Sequence, residues 1–189
     1  ISTLAELRQA KAHLQAVQQE FIERGEAFDE NMEVGIMIEV PSAAMIADQL
    51  AREVDFFSIG TNDLTQFTLA VDRTNQKLAD RFCSFSPGVL RIIDHVVRVA
   101  QKQGIAVSCC GEMTGQPLGF LLLLGLGVRD FSCNLFAVPQ MKKMMDGVEL
   151  AEVEQLAQKA LNAESSEEVR QLFDSLQQKL VAAADSLQF

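Results

Sequence analysis

Five side chains in this sequence have the types and placement for chemistry on a charged small molecule: Glu39, Asn62, Asp63, Arg73 and Cys110. Glu39 comes near the end of the apolar run Val34 to Val40. Asp63 follows the run Phe56-Phe57-Ser58-Ile59-Gly60, after Thr61 and Asn62. Carboxylates at the ends of two successive apolar runs can share a hard divalent cation such as Mg²⁺, which takes one or two carboxylates and completes its shell with water and substrate oxygens. Asn62 can donate to a phosphate or carboxylate, or shape the turn. Arg73 carries a planar fork that suits a phosphate, and equally a surface salt bridge. Cys110 closes a third apolar run. It faces away from Cys109, because successive strand side chains alternate, and it is the thiol of the pair better placed for chemistry.

Each of these residues also has a plainer reading. Glu39 can make a capping contact or a salt bridge to the next loop, and Asp63 can cap the helix that follows it. A buried cysteine is usually inert packing. Glu112 either orients the thiol or is solvated. His95 falls on an amphipathic helix as a surface residue, and Met141, Met144 and Met145 read as core.

Strands and helices must hold these residues. Near-continuous apolar runs mark strands buried in a parallel sheet, and four are expected, at about 34–40, 55–59, 105–110 and 128–133. Between them lie helical patterns with clear starts and stops. Ser2 is a cap for the first helix, which Gly25 ends. Pro41 stops the first strand and Ser42 caps a helix to about Val54. Ser86-Pro87 opens the helix that Gly104 ends. The loop from Arg73 to Phe85 is long for a βα connection. Two amphipathic helices close the chain, from Glu149 to Leu161 and from Ser166 to Leu187, the second with a capping-box start. Strands alternating with helices imply right-handed crossovers and a parallel sheet, with chemistry at the C-terminal ends of the strands.

Composition sets limits on the rest. The 189 residues are enough for one domain with a sizeable core. The formal net charge of −10 argues against nucleic acid. No stretch approaches the ~20 apolar residues of a membrane span. The four cysteines and two histidines show no metal-ligand spacing. Free thiols suit a reducing, cytoplasmic setting. Ile1 reads as an internal cut without a secretory leader.

Four stretches taken in order carry a more specific signal: Gly35-Ile36-Met37-Ile38-Glu39-Val40-Pro41, Ser58 to Gln66, Val71-Asp72-Arg73, and Cys110-Gly111-Glu112-Met113. Together they closely resemble the C-terminal, phosphoenolpyruvate (PEP)-binding domain of the PEP-utilising enzymes. That family includes Enzyme I of the sugar phosphotransferase system, multiphosphoryl transfer proteins, pyruvate phosphate dikinase and PEP synthase. The Cys110-Gly111-Glu112-Met113 and Asp72-Arg73-Thr74-Asn75 wordings are similar to Enzyme I, whereas dikinases tend to carry histidine in place of Met113. The likeness runs from about Ile1 to the last helices.

The resemblance implies an α/β fold of (β/α)8 type, with this chain as its C-terminal half, four βα units plus extra C-terminal helices. It implies Glu39 and Asp63 as Mg²⁺ ligands, Asn62, Asp63 and Arg73 as PEP contacts, and Cys110 as the acid that protonates C3 of the enolate. The implied reaction passes a phosphoryl group from PEP to a protein histidine and releases pyruvate. The implied partners are a phosphohistidine domain, an HPr-like carrier and a second copy of the chain. PEP brings roughly three negative charges, while Mg²⁺ and Arg73, less the two carboxylates, supply about one positive charge. Further cations are therefore expected from outside this chain, which alone is expected to show little or no turnover. A dikinase or synthase fragment, or a non-catalytic dimerisation module, stands as the alternative.

Overall fold

Each of the four apolar runs contributes to a single parallel sheet. The computed structural model describes residues 1–185, with side chains to 180. In order the elements are α1 (Leu4–Arg24), β1 (Ile36–Ile38), α2 (Pro41–Met45), α3 (Ala47–Leu50), β2 (Phe56–Gly60), α4 (Thr61–Leu69), α5 (Pro87–Gln103), β3 (Ala106–Cys110), α6 (Pro117–Gly125), β4 (Asp130–Phe131), α7 (Val138–Asp146), α8 (Leu150–Ala160) and α9 (Ser166–Asp185). The expectation of helix as far as Leu187 reaches beyond the described residues. The strand order is β1-β2-β3-β4, every neighbour parallel.

The strands sort their side chains by period two. Ile36, Ile38, Phe57, Ile59, Val107 and Cys109 turn to one face and are buried. Helices cover that face. α5 presses Val89, Leu90, Ile93, Val96, Val97 and Ala100 into the core, and α6 is buried along its length from Leu118 to Gly125. The other face carries Met37, Ser58 and Ser108, paired in one row across the strands, and Cys110 one row further on. Met37 is 40% exposed, while Ser58, Ser108 and Cys110 are half-buried. A doubly wound sheet would have helices on both faces. A sequential parallel sheet with helices on one side has the form of a barrel wall.

Local chemistry explains most of the helix ends. Thr3, not Ser2, is the N-cap of α1, accepting from the Glu6 N–H at 3.2 Å. The segment after Pro41 is not one helix. Ile46 leaves the helical region (φ −108°, ψ 20°), so the chain forms two short helices, α2 and α3. Val40 is the N-cap of α2, and Pro41 sits in its first turn, where a missing N–H costs nothing. Ser165 Oγ accepts from the Glu168 N–H, and Glu168 Oε2 accepts from the Glu164 N–H, which starts α9.

Candidate active site

The C-terminal edge of the sheet collects the polar residues. β2 ends at Gly60, which is also the N-cap of α4 and offers no side chain for that role. Asp63 is therefore not the cap; it lies in the first turn of α4. Glu39 follows β1 and leans across the end of β2. A Cβ placed on Gly60 would lie 3.3 Å from Glu39 Oε2 and 3.1 Å from Glu39 Cβ. A side chain at Gly60 would press on Glu39, which could keep its place across the strand end only by shifting a few tenths of an ångström. Glu39 is half-buried and has no ion-pair partner among the described residues, so its salt-bridge reading is not realised.

Asn62 and Cys110 are joined through backbone. The Asn62 Oδ1 atom accepts from the Glu112 N–H at 3.0 Å. The Thr61 hydroxyl donates to the Cys110 carbonyl at 2.9 Å. Gly111, between Cys110 and Glu112, has φ +108° and ψ −179°, a conformation open only to glycine. A Cβ there would run into Thr61 Oγ1. The exit of β3 is thus stapled to the exit of β2 at two points. With its oxygen accepting from Glu112, Asn62 keeps an NH₂ donor that has no partner among the described residues.

The thiols divide as their alternation requires. Cys109 is buried, and that burial pushes its thiol pKa well up. Cys110 is half-buried on the open face, with Ser58 Oγ 3.9 Å from its sulfur. Thr114 extends the linkage, because its hydroxyl lies 2.7 Å from the Gly111 carbonyl and 2.8 Å from the Ser132 carbonyl and shares its one proton between them. An open cleft of about 490 Å³ adjoins, lined by Asn62, Gly111, Glu112, Gln116 and Asn134 among others.

Arg73 reaches the same mouth from the polar excursion after α4. Its Nη2 lies 3.6 Å from Asp63 Oδ1, and its backbone N–H donates to Gln66 Oε1 at 3.1 Å. Asp72 shapes the turn by accepting from both the hydroxyl and the N–H of Thr74, and these bonds hold its carboxyl below the usual range. The five residues singled out from the sequence therefore gather at the C-terminal ends of β1, β2 and β3: Glu39 just after β1, Asn62 and Asp63 in the first turn of α4, Arg73 in the excursion after α4, and Cys110 as the last residue of β3. Sequence reasoning missed Thr61, Gly111 and Thr114. Their only signal was polar or glycine residues beside strand ends, and their partners lie on other strands. His95 is exposed, as expected; Met145 is half exposed, against the reading of all three methionines as core.

The donor set suits a hard divalent cation. Glu39 and Asp63 offer carboxylate oxygens at adjacent strand ends, both partly open to water. Among the described residues there is no cluster of three or more His, Cys, Asp or Glu side chains able to hold a metal. A cation here would take its remaining ligands from water and from a ligand's oxygens, which is how Mg²⁺ is usually held.

Residues 1–150 match the family model described as PEP-utilising enzyme, PEP-binding domain. The phosphoenolpyruvate-protein phosphotransferase of Borreliella burgdorferi is 49% identical over 151 residues, covering 80% of this chain and 26% of that protein. The protein of the same name from Haemophilus influenzae is 42% identical over 174 residues, covering 92% of this chain and 30% of the relative. That from Bacillus subtilis is 40% identical over 169 residues, covering 89% and 30% respectively. The chain thus spans under a third of the length of these curated relatives.

Proposed function

The chain belongs to the PEP-utilising enzymes through their PEP-binding domain, and from that premise we propose that it carries the PEP site of a phosphotransferase that passes the phosphoryl group to a protein histidine and releases pyruvate. The observation that carries the reading is the double staple between β2 and β3. It holds the Asn62 NH₂ donor and the Cys110 thiol at one strand edge, next to the two acids Glu39 and Asp63.

Each residue takes a role from its place. Asn62 donates to a phosphate or carboxylate oxygen of PEP. Arg73 turns its fork from Asp63 to the phosphate. Glu39 and Asp63 would hold Mg²⁺, which when bound supplies positive charge against the phosphate and the developing enolate. As the histidine nitrogen bonds to phosphorus, the P–O bond to the enol carbon's oxygen breaks and its electrons stay on that oxygen. Cys110 then gives its proton to C3, and pyruvate results. The acceptor histidine comes from a separate phosphohistidine domain, which hands the group on to an HPr-like carrier in a sugar phosphotransferase system. A homodimer and a cytoplasmic setting complete the proposal. They are supported by the open sheet face, by four free cysteines, and by the lack, among the described residues, of a helix long and apolar enough to cross a membrane.

Titration calorimetry of PEP into the chain with Mg²⁺ tests the binding half. Glu39→Ala and Asp63→Ala are each expected to abolish the Mg²⁺-dependent signal, and retained binding in both would refute the ligand roles. In the full-length protein that carries this chain, Cys110→Ala is expected to block pyruvate formation; undiminished turnover would refute the acid role.

A further inference from the structure

We infer that the Thr61 hydroxyl aims the Cys110 thiol, which makes Thr61 a positioning residue for the proton step; the link to that step rests on the function proposed above. Thr61, Thr65 and Thr114 are the buried polar residues among those described. Thr61 is fully buried, and its hydroxyl points across to the next strand, donating to the Cys110 carbonyl at 2.9 Å. Its own carbonyl accepts from Thr65 Oγ1 at 2.7 Å, which fixes Thr61 from behind. Cys110 is the last residue of β3, and the chain turns at Gly111 with φ +108°. The Cys110 carbonyl is therefore the final backbone atom before the bend. Holding it sets ψ of Cys110, and with it the way the residue's Cα–Cβ bond enters the mouth. The missing side chain at Gly111 gives the hydroxyl room to reach, since a Cβ there would strike Thr61 Oγ1.

Thr61→Val keeps the shape and β-branching but leaves the Cys110 carbonyl without its donor. Thr61→Ser restores the donor. The readout is the iodoacetamide alkylation rate of Cys110 in the whole chain, resolved by peptide mass spectrometry, with Cys133 as internal reference. The valine variant is expected to raise the Cys110-to-Cys133 rate ratio on the order of fivefold, the population change that one net hydrogen bond supports. The serine variant is expected to return the ratio to the wild-type value. A folded valine variant with an unchanged ratio, or a serine variant that behaves like valine, overturns the inference. If valine does not fold, Thr61→Ala gives the same reading. Adding PEP with Mg²⁺ separates this inference from the function it rests on. If wild-type Cys110 is not protected by PEP, the proposed site is wrong, while a shifted ratio still supports the aiming role. Protection that is lost in valine and regained in serine ties the aim of the thiol to the substrate.

Discussion

Arg73 Nη2 lies 3.6 Å from Asp63 Oδ1, so the cation meant for a ligand's phosphate and the carboxylate meant for a metal neutralise each other while the site is empty. Both side chains are more than a third exposed, so the pair is worth little, roughly 0.2–1 kcal/mol. Arg73→Gln is therefore expected to tighten Mn²⁺ binding without PEP by about two- to fivefold. The same substitution is expected to weaken PEP binding by at least about tenfold, because a fork that holds phosphate is lost. Mn²⁺ titration followed by electron paramagnetic resonance reads the first effect. An unchanged Mn²⁺ affinity would mean that Arg73 does not shield Asp63.

The committed oxygen of Asn62 gives a sharper variant than alanine. Asn62→Asp keeps an acceptor for the Glu112 N–H and replaces the unpartnered NH₂ donor by a negatively charged oxygen. The thermal midpoint is expected to stay within about 2 °C of wild type, since the staple survives. PEP affinity is expected to fall on the order of a hundredfold, the cost of facing an anion with an unpaired charge. Calorimetry and a melting curve on the same sample decide it.

Gly111→Ala acts on stability. The residue sits at φ +108°, and the new methyl group would meet Thr61 Oγ1. A strained backbone of this kind costs about 1–3 kcal/mol, or roughly 3–10 °C in melting temperature for a chain of this size. A melting temperature equal to wild type would mean that the turn after Cys110 has another form in solution.

Alkaline pH should weaken the fold through Cys109. Burial raises its folded pKa above the ordinary 9.0. The contribution to stability is therefore complete below about pH 9, where both states keep the proton. It falls as pH rises further, because only the unfolded thiol ionises, at a slope of up to about 1.4 kcal/mol per pH unit. Urea unfolding between pH 8 and 10.5 is expected to show this loss, and Cys109→Ala to flatten it. An equal slope in the variant would place the alkaline sensitivity elsewhere.

The fold class was legible because burial on a parallel sheet leaves a plain mark. Val34 to Val40 and Phe56 to Gly60 are apolar almost without a break, and each stops at a polar turn. Glu39, Asn62 and Asp63 were legible for the same reason, as polar residues at the ends of apolar runs; Cys110 was legible from strand alternation, and Arg73 only as a phosphate-shaped fork in a polar stretch. The break between α2 and α3 was not, since nothing in Ser42 to Val54 signals the departure from helix at Ile46. Nor were the staples. Thr61 and Cys110 are 49 positions apart, and Asn62 and Glu112 are 50 apart. Only the strand register, Gly60 beside Cys110, brings them together. Local spacing carries no record of that register.

One hydroxyl, that of Thr114, serves carbonyls from both the third and the fourth strand ends. The loops leaving those strands are therefore tied to each other through one buried side chain, and parting them would turn the Ser132 carbonyl to water while Thr114 keeps Gly111. The solvent-facing excursion from Asp72 to Arg81 is held more lightly, by the exposed Arg73–Asp63 pair and the Arg73 N–H bond to Gln66, so it is the side of the mouth that yields most readily to a guest.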